Sequence, residues 1–235
     1  MDMMKKTLAE NLPSLGLTLD DAIQDQLCAF GHAMVKQKEV MNLTGITEDD
    51  QVAKLHLIDS LTVLSCADLA GKSLIDVGCG AGFPGVPTAI ACPGAKVTLL
   101  DSLAKRMNWL ETILPQLGVA NAECVTARAE EAIVDRRETY DYATSRAVAR
   151  LNILLELTAP YVKVGGAVLA LKGSAAREEL EEAKSAVSKL GLQIEAVKDF
   201  TVDTDTVHTV IVLRKVRPTP AKYPRRYAKI KQAPL

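Results

Sequence analysis

The eleven residues Ser73-Leu74-Ile75-Asp76-Val77-Gly78-Cys79-Gly80-Ala81-Gly82-Phe83 hold the most chemistry in this chain. An apolar run ends in an aspartate and passes at once into glycines at every second position. Such a turn takes up positive φ and lets the backbone approach a ligand with no Cβ in the way. A helix-length segment follows, then a second apolar run, Val97-Thr98-Leu99-Leu100, which closes on Asp101. Strand, glycine turn, helix and a strand tipped by an acid bind an adenosine-containing ligand at the switch point of a parallel sheet. Asp101 then sits where both ribose hydroxyls can donate to it. A dinucleotide site wants its third glycine one position later, to seat a pyrophosphate on the helix N-terminus. Phe83 holds that place, with Pro84 next; the ring obstructs a diphosphate but packs beside a thioether or an adenosine.

The elements that position these residues are legible from periodicity. Strands are expected at 73–78, 96–101, 123–126, 140–145, 167–172, 193–199 and 207–214, and helices near 85–91, 103–117, 150–162 and 175–190. Gly165-Gly166 reads as the turn into the fifth strand. Before residue 70 there is no β signal. Helical spacing runs from Leu19 to Val40, capped by Thr18 or Asp20, and again from Leu55 to Leu69. The chain divides into a helical cap (1–70), an α/β core (71–215) and a C-terminal arm (216–235).

Composition narrows the class. With 48% apolar residues in a chain of 235, the core is ample. No run nears the roughly 18 apolar residues of a membrane span, and the charged start Met1 to Lys6 lacks a secretory signal, so a cytoplasmic protein is expected. Five cysteines without C-x-x-C spacing and three dispersed histidines predict no metal site. Net charge is −1, but the segment from Arg214 to Leu235 carries eight cations and no acid. Prolines 218, 220, 224 and 234 and the rings of Tyr223 and Tyr227 interleave with them. That pattern is either a solvated tail or an extended arm along a phosphate backbone, with rings available for stacking.

The acid-x-G-x-G-x-G order resembles the first motif of the S-adenosylmethionine (SAM) methyltransferases. Five βα units closed by a hairpin resemble their Rossmann-like class I fold, a seven-stranded sheet with an antiparallel last strand. More specific elements follow one another along the chain: Asn42-Leu43-Thr44-x-Ile46, His56-x-x-Asp59-Ser60-Leu61 and Asp101-Ser102-x-x-Lys105-Arg106. Ser145-Arg146-Ala147-Val148-Ala149, Leu171-Lys172-Gly173 and Lys222-Tyr223-Pro224-Arg225-Arg226 complete the series. Together they resemble the bacterial small-subunit ribosomal RNA guanine-N7 methyltransferases, the glucose-inhibited division protein B family, from about Ala29 to Leu235. The resemblance implies methyl transfer from SAM to N7 of a guanine, position 527 in the 530 loop of 16S ribosomal RNA. The implied partner is the naked RNA or the 30S subunit, and the protein is expected to act as a monomer. Two departures stand out: Gln37-Lys38 replaces the family's usual Trp-Asn pair, and His208 stands where many relatives carry arginine.

N7 has an in-plane lone pair and no proton, so its methylation requires alignment and no general base. The resemblance assigns Gly78, Gly80, Gly82 and Phe83 to the methionine part of SAM, Asp101 to the ribose, and Ala129 and Glu130 to the adenine edge through backbone groups. Arg146 either pairs with the SAM carboxylate or orients the guanine through O6. His56 and Asp59, one helical turn apart, either pack the cap or border the pocket. Lys105, Arg106, Arg128, His208, Arg225 and Arg226 are the expected RNA contacts, so the arm should serve RNA and not SAM. Should the arm fold back over the sheet, truncation would also lower the melting temperature. Two other readings share the fold: a methyltransferase of a small molecule or protein, and a non-catalytic assembly factor that holds SAM.

Overall fold

The computed structural model describes residues 2–38, 41, 43–203 and 206–235. The expected helix end at Val40 and Asn42 of the N-L-T element lie outside them. The cap is built from α1 (Met3–Asn11), α2 (Asp21–Gln37), α3 (Asp49–Val52) and α4 (Asp59–Leu61), the last two joined by a π-helical turn, Ala53–Ile58. Of the two expected caps, Asp20 starts α2, its Oδ1 accepting from the Ile23 N–H at 2.8 Å. The helix expected over 55–69 begins instead at Asp49 and gives way to turns after Leu61.

The core then alternates: β1 (Ser73–Val77), α5 (Gly85–Ala91), β2 (Lys96–Asp101), α6 (Ala104–Gln116), β3 (Ala122–Thr126), α7 (Ala129–Ala132), β4 (Tyr140–Arg146) and α8 (Leu151–Thr158). It continues through β5 (Val162–Lys172), α9 (Ala176–Glu182), α10 (Lys184–Lys189), β6 (Leu192–Asp203) and β7 (Thr206–Lys215), and α11 (Tyr227–Gln232) follows. Among the described residues the strands form one seven-stranded sheet, ordered β3-β2-β1-β4-β5-β7-β6. β7 runs antiparallel to both its neighbours. In β1 successive side chains face opposite layers, as the pleat requires. Leu74 joins the layer of the cap, with Phe30 and Leu57, whereas Ile75 and Val77 join the layer of α8, with Leu154 and Leu155.

The C-terminal segment does not extend into solvent, which corrects the expectation of a free arm. Tyr223 and Ile230 are buried in the α8 layer. The Thr219 N–H donates to Glu138 Oε1 at 2.7 Å, and the Arg137 guanidinium donates to the Tyr223 carbonyl. Glu156 of α8, fully buried, accepts from the backbone N–H, Nε and Nη2 of Arg225 at 2.8, 2.8 and 2.6 Å. Charge composition alone could not show that these cations have partners.

Candidate active site

One cavity of about 460 Å³ opens at the carboxyl ends of β1, β2 and β4, where ligands enter open α/β sheets. Its lining brings together most residues expected from the motifs: Gly78, Gly80, Phe83, Asp101, Arg106, Arg128, Ala129, Glu130 and Arg146. Gly82 is the exception among the three glycines, being packed beneath the turn, where a Cβ would meet Val86, Leu110 and Phe30. Lys105 is exposed on the first turn of α6, outside the lining.

Two of the glycines are required for different reasons. Gly78, at φ +75°, is overlaid by Val148, whose Cγ2 lies 2.5 Å from where a Cβ would stand. Gly80, at φ +57°, faces open space toward Arg106, 3.7 Å from that point, so the backbone there is free to receive a ligand. Its N–H donates to Asp101 Oδ2 at 3.0 Å, and the Leu103 N–H donates to Oδ1 at 2.9 Å. The Asp101 carboxylate is thereby held rigid, with acceptor capacity left on both oxygens for two adjacent hydroxyls.

Asp76, which leads the motif, does not reach the cavity. Its Oδ2 accepts from the Gly85 N–H at 2.7 Å and ties the turn to the start of α5. Burial pushes this carboxyl up to about 7, and Oδ1 has no partner among the described residues.

The opposite wall is a polar junction between cap and core. Arg146 Nη1 donates to Asp59 Oδ2 at 2.7 Å and to the Leu55 carbonyl at 2.9 Å, while Nη2 reaches His56 Nδ1 at 3.3 Å. His208 Nδ1 lies 2.5 Å from the other Asp59 oxygen. His208, expected as an RNA contact, is thus tied to the cap through Asp59 and keeps 19% of its side-chain surface exposed. Burial raises the Asp59 carboxyl, but the bonds from His208 and Arg146 outweigh it and leave the group below the usual carboxylate range. Burial, helped by the Arg146 charge, pushes His56 down to about 4. A neutral imidazole accepting at Nδ1 carries its proton on Nε2, which donates to Thr44 Oγ1 at 2.8 Å. Phe83 is clamped in the same wall, 5.1 Å from Phe30, 5.0 Å from His56 and 5.1 Å from the Arg146 guanidinium carbon. Of the two residues left open between packing and pocket, His56 lines the cavity, and Asp59, outside the lining, anchors the cap through Arg146.

The sequence reading named no role for Ala147 or Val148 and offered the Tyr227 ring only for stacking on nucleic acid; all three line the cavity. Ala147 takes φ 57°, a conformation that costs a non-glycine residue of order 1–2 kcal/mol. Two bonds hold it there. Ser145 Oγ donates to the Val77 carbonyl at 2.7 Å and Lys172 Nζ to the Ala149 carbonyl at 2.6 Å. Among the described residues one trio of possible metal ligands converges, Asp2, His32 and Asp49 on the cap, and none of them lines the cavity.

A family model described as rRNA small subunit methyltransferase G matches residues 23–207. The chain belongs to that family. A relative named ribosomal RNA small subunit methyltransferase G from Acetivibrio thermocellus is 42% identical over 99% of this chain and 97% of its own. Another of that name, from Lactobacillus johnsonii, is 41% identical over 99% of this chain and 100% of its own. Among solved structures, M. jannaschii TYW2 in complex with AdoMet superposes with a TM-score of 0.56 at 13% identity, covering 68% of this chain and 76% of that one. A SAM-dependent methyltransferase from Aquifex aeolicus gives 0.54 at 18% identity, covering 69% and 92%. At those identities the likeness is one of fold, and the fold is the Rossmann-like class I methyltransferase architecture. Within the family's frame, several of the motif residues explain one another: Thr44 with His56 and Asp59 with Arg146 fasten cap to fourth strand, Lys172 holds the Ala149 carbonyl, and Arg225 fastens the C-terminal segment. No helix among the described residues is long and apolar enough to cross a membrane.

Proposed function

We propose that this chain transfers a methyl group from SAM to N7 of a guanine, position 527 in the 530 loop of 16S ribosomal RNA, acting as a cytoplasmic monomer on the naked RNA or the 30S subunit. The observation that carries the reading is the Asp101 carboxylate, oriented by two backbone N–H groups beside a glycine turn that leaves the backbone open to a ligand. The cavity volume lies in the range of small-molecule sites. When bound, SAM would supply a methyl on a sulfonium, whose sulfur leaves as the neutral thioether without acid assistance.

The chain's own residues bind and align. Asp101 accepts from the ribose, Ala129 and Glu130 border the adenine, and Phe83 walls the cavity. Arg146 is committed to Asp59, Leu55 and His56, so its part is to position Phe83 and the cap; pairing with the SAM carboxylate or with guanine O6 would compete with those bonds. Neither His56, neutral and engaged at both ring nitrogens, nor Asp59, held between Arg146 and His208, is placed as a general base. A ring nitrogen with a free lone pair does not need one. Arg106 and Arg128 at the mouth, with exposed Lys105 and Arg226, meet the RNA phosphates.

Label should pass from methyl-labelled SAM to guanine N7 in small-subunit particles or naked 16S RNA; SAM binding without transfer to either leaves only the assembly-factor reading. Asp101→Ala should weaken SAM binding by roughly 1.5–3 kcal/mol in calorimetry, and unchanged affinity removes the ribose assignment. The rate at saturating SAM should show no bell between about pH 6 and 9. A slope near 7 that vanishes in Asp76→Asn belongs to the glycine turn. A bell that persists in both Asp76→Asn and His208→Arg means a titrating catalytic group and refutes the base-free mechanism.

A further inference from the structure

Tyr227 enters the cavity lining from a direction that no strand end supplies. It opens α11, and its backbone N–H donates to Glu130 Oε1 at 3.3 Å. The chain on either side is fixed: Arg225 is bonded to buried Glu156, and Ile230 is fully buried. Glu156 lies on α8 next to Leu157, which also lines the cavity. On the remaining side the Ala129 carbonyl accepts from Tyr161 Oη at 2.5 Å, which holds the start of α7 from behind. Ala129, Leu157 and Tyr227, which belong to one apolar cluster, thus give the cavity an apolar recess where the proposed function puts adenine. A flat ring beside an apolar recess fits a purine, because every base presents a π-face for stacking.

We infer that Tyr227 is a purine-binding residue, and that the basic C-terminal segment is therefore part of the SAM site as well as an RNA-facing surface. The inference rests on the cavity being the SAM pocket. It reverses the sequence-based expectation that the tail serves RNA alone.

The test is calorimetry of SAM and of S-adenosylhomocysteine on the full chain and on Tyr227→Ala and Tyr227→Phe, below the melting temperature of each. Tyr227→Ala should raise the Kd of both ligands roughly tenfold, and Tyr227→Phe, which keeps the ring, should stay within about twofold of the unaltered chain. In methyl transfer, Tyr227→Ala should raise KM for SAM and leave kcat at saturating SAM unchanged, a split that general loosening of the fold would not give. Unchanged affinity in Tyr227→Ala, or equal losses in the Ala and Phe variants, overturns the inference. Failure of the unaltered chain to bind SAM overturns the reading of the cavity itself.

Discussion

Arg225→Ala is expected to lower the unfolding free energy by about 3–5 kcal/mol, because it strips the guanidinium from a carboxylate with no access to water. Glu156 is 0% exposed, whereas the Arg225 side chain keeps 25% of its surface in solvent, so the penalty falls on the glutamate. For a domain of this size the melting temperature should fall on the order of 10 °C. Removing both charges, as in Glu156→Leu with Arg225→Met, should recover most of the loss, since apolar replacements of similar volume often match a buried pair. Thermal denaturation decides the point: a single variant that melts like the unaltered chain means that the C-terminal segment is not fastened through this pair.

Asp59→Ala should be comparably severe, because Arg146 and His208 would face each other across a lost carboxylate. Stability should fall by about 3 kcal/mol or more. Methyl transfer should fall by up to about a hundredfold, the scale on which small misplacements near a reacting centre act. The same junction sets an acid limit. His56 has its proton affinity depressed to about 4 in the fold, against about 6.5 when unfolded. Its stabilising contribution is complete above pH 6.5 and is lost as pH falls toward 4. Asp59, also held low, loses its contribution below the unfolded value of about 3.9. Asp76 acts in the opposite sense: raised to about 7, it favours the fold most below about pH 4, and that advantage is gone above 7. Between pH 4 and 7 the two trends oppose. In Asp76→Asn the melting temperature should therefore decline more steeply with acid than in the unaltered chain; an identical decline would show that Asp76 is ionised throughout.

Local pattern specified the sheet well. β2 and α5 fall on the limits that periodicity set: β2 closes on Asp101, and α5 stops because Pro93 forces Cys92 out of the helical conformation. Where two strands approach closely, the pattern misled: Gly165-Gly166 looked like a turn, yet β5 runs through it from Val162. The glycine at 166 is there because a Cβ would stand 2.2 Å from the Asp141 carbonyl of β4. α1 escaped notice because only Met4, Thr7 and Leu8 face inward within a charged segment, too few for a period. The long helix expected to 190 is interrupted at Ala183. In the site, each reactive residue was visible by type and motif, but not its partner. Arg146 with Asp59, and Arg225 with Glu156, are 87 and 69 residues apart in the chain, and no local rule pairs such positions. His208 and Arg225 read as RNA contacts with no protein partner for that reason alone.

The cavity takes its walls from the cap, from the centre of the sheet and from the C-terminal segment, stretches remote from one another in the chain. Such a site is completed by long-range contacts, and the elements around binding sites are commonly among those that open in sub-global unfolding. Ligand that binds the closed form stabilises by mass action, about 2.7 kcal/mol at a hundredfold excess over Kd. Amide hydrogens near Thr44–His56, Arg146–Ala149 and Arg225–Tyr227 should then slow their exchange together on adding SAM, while the strands of the sheet, already protected, barely change. Three distant stretches of chain would respond as a single cooperative unit.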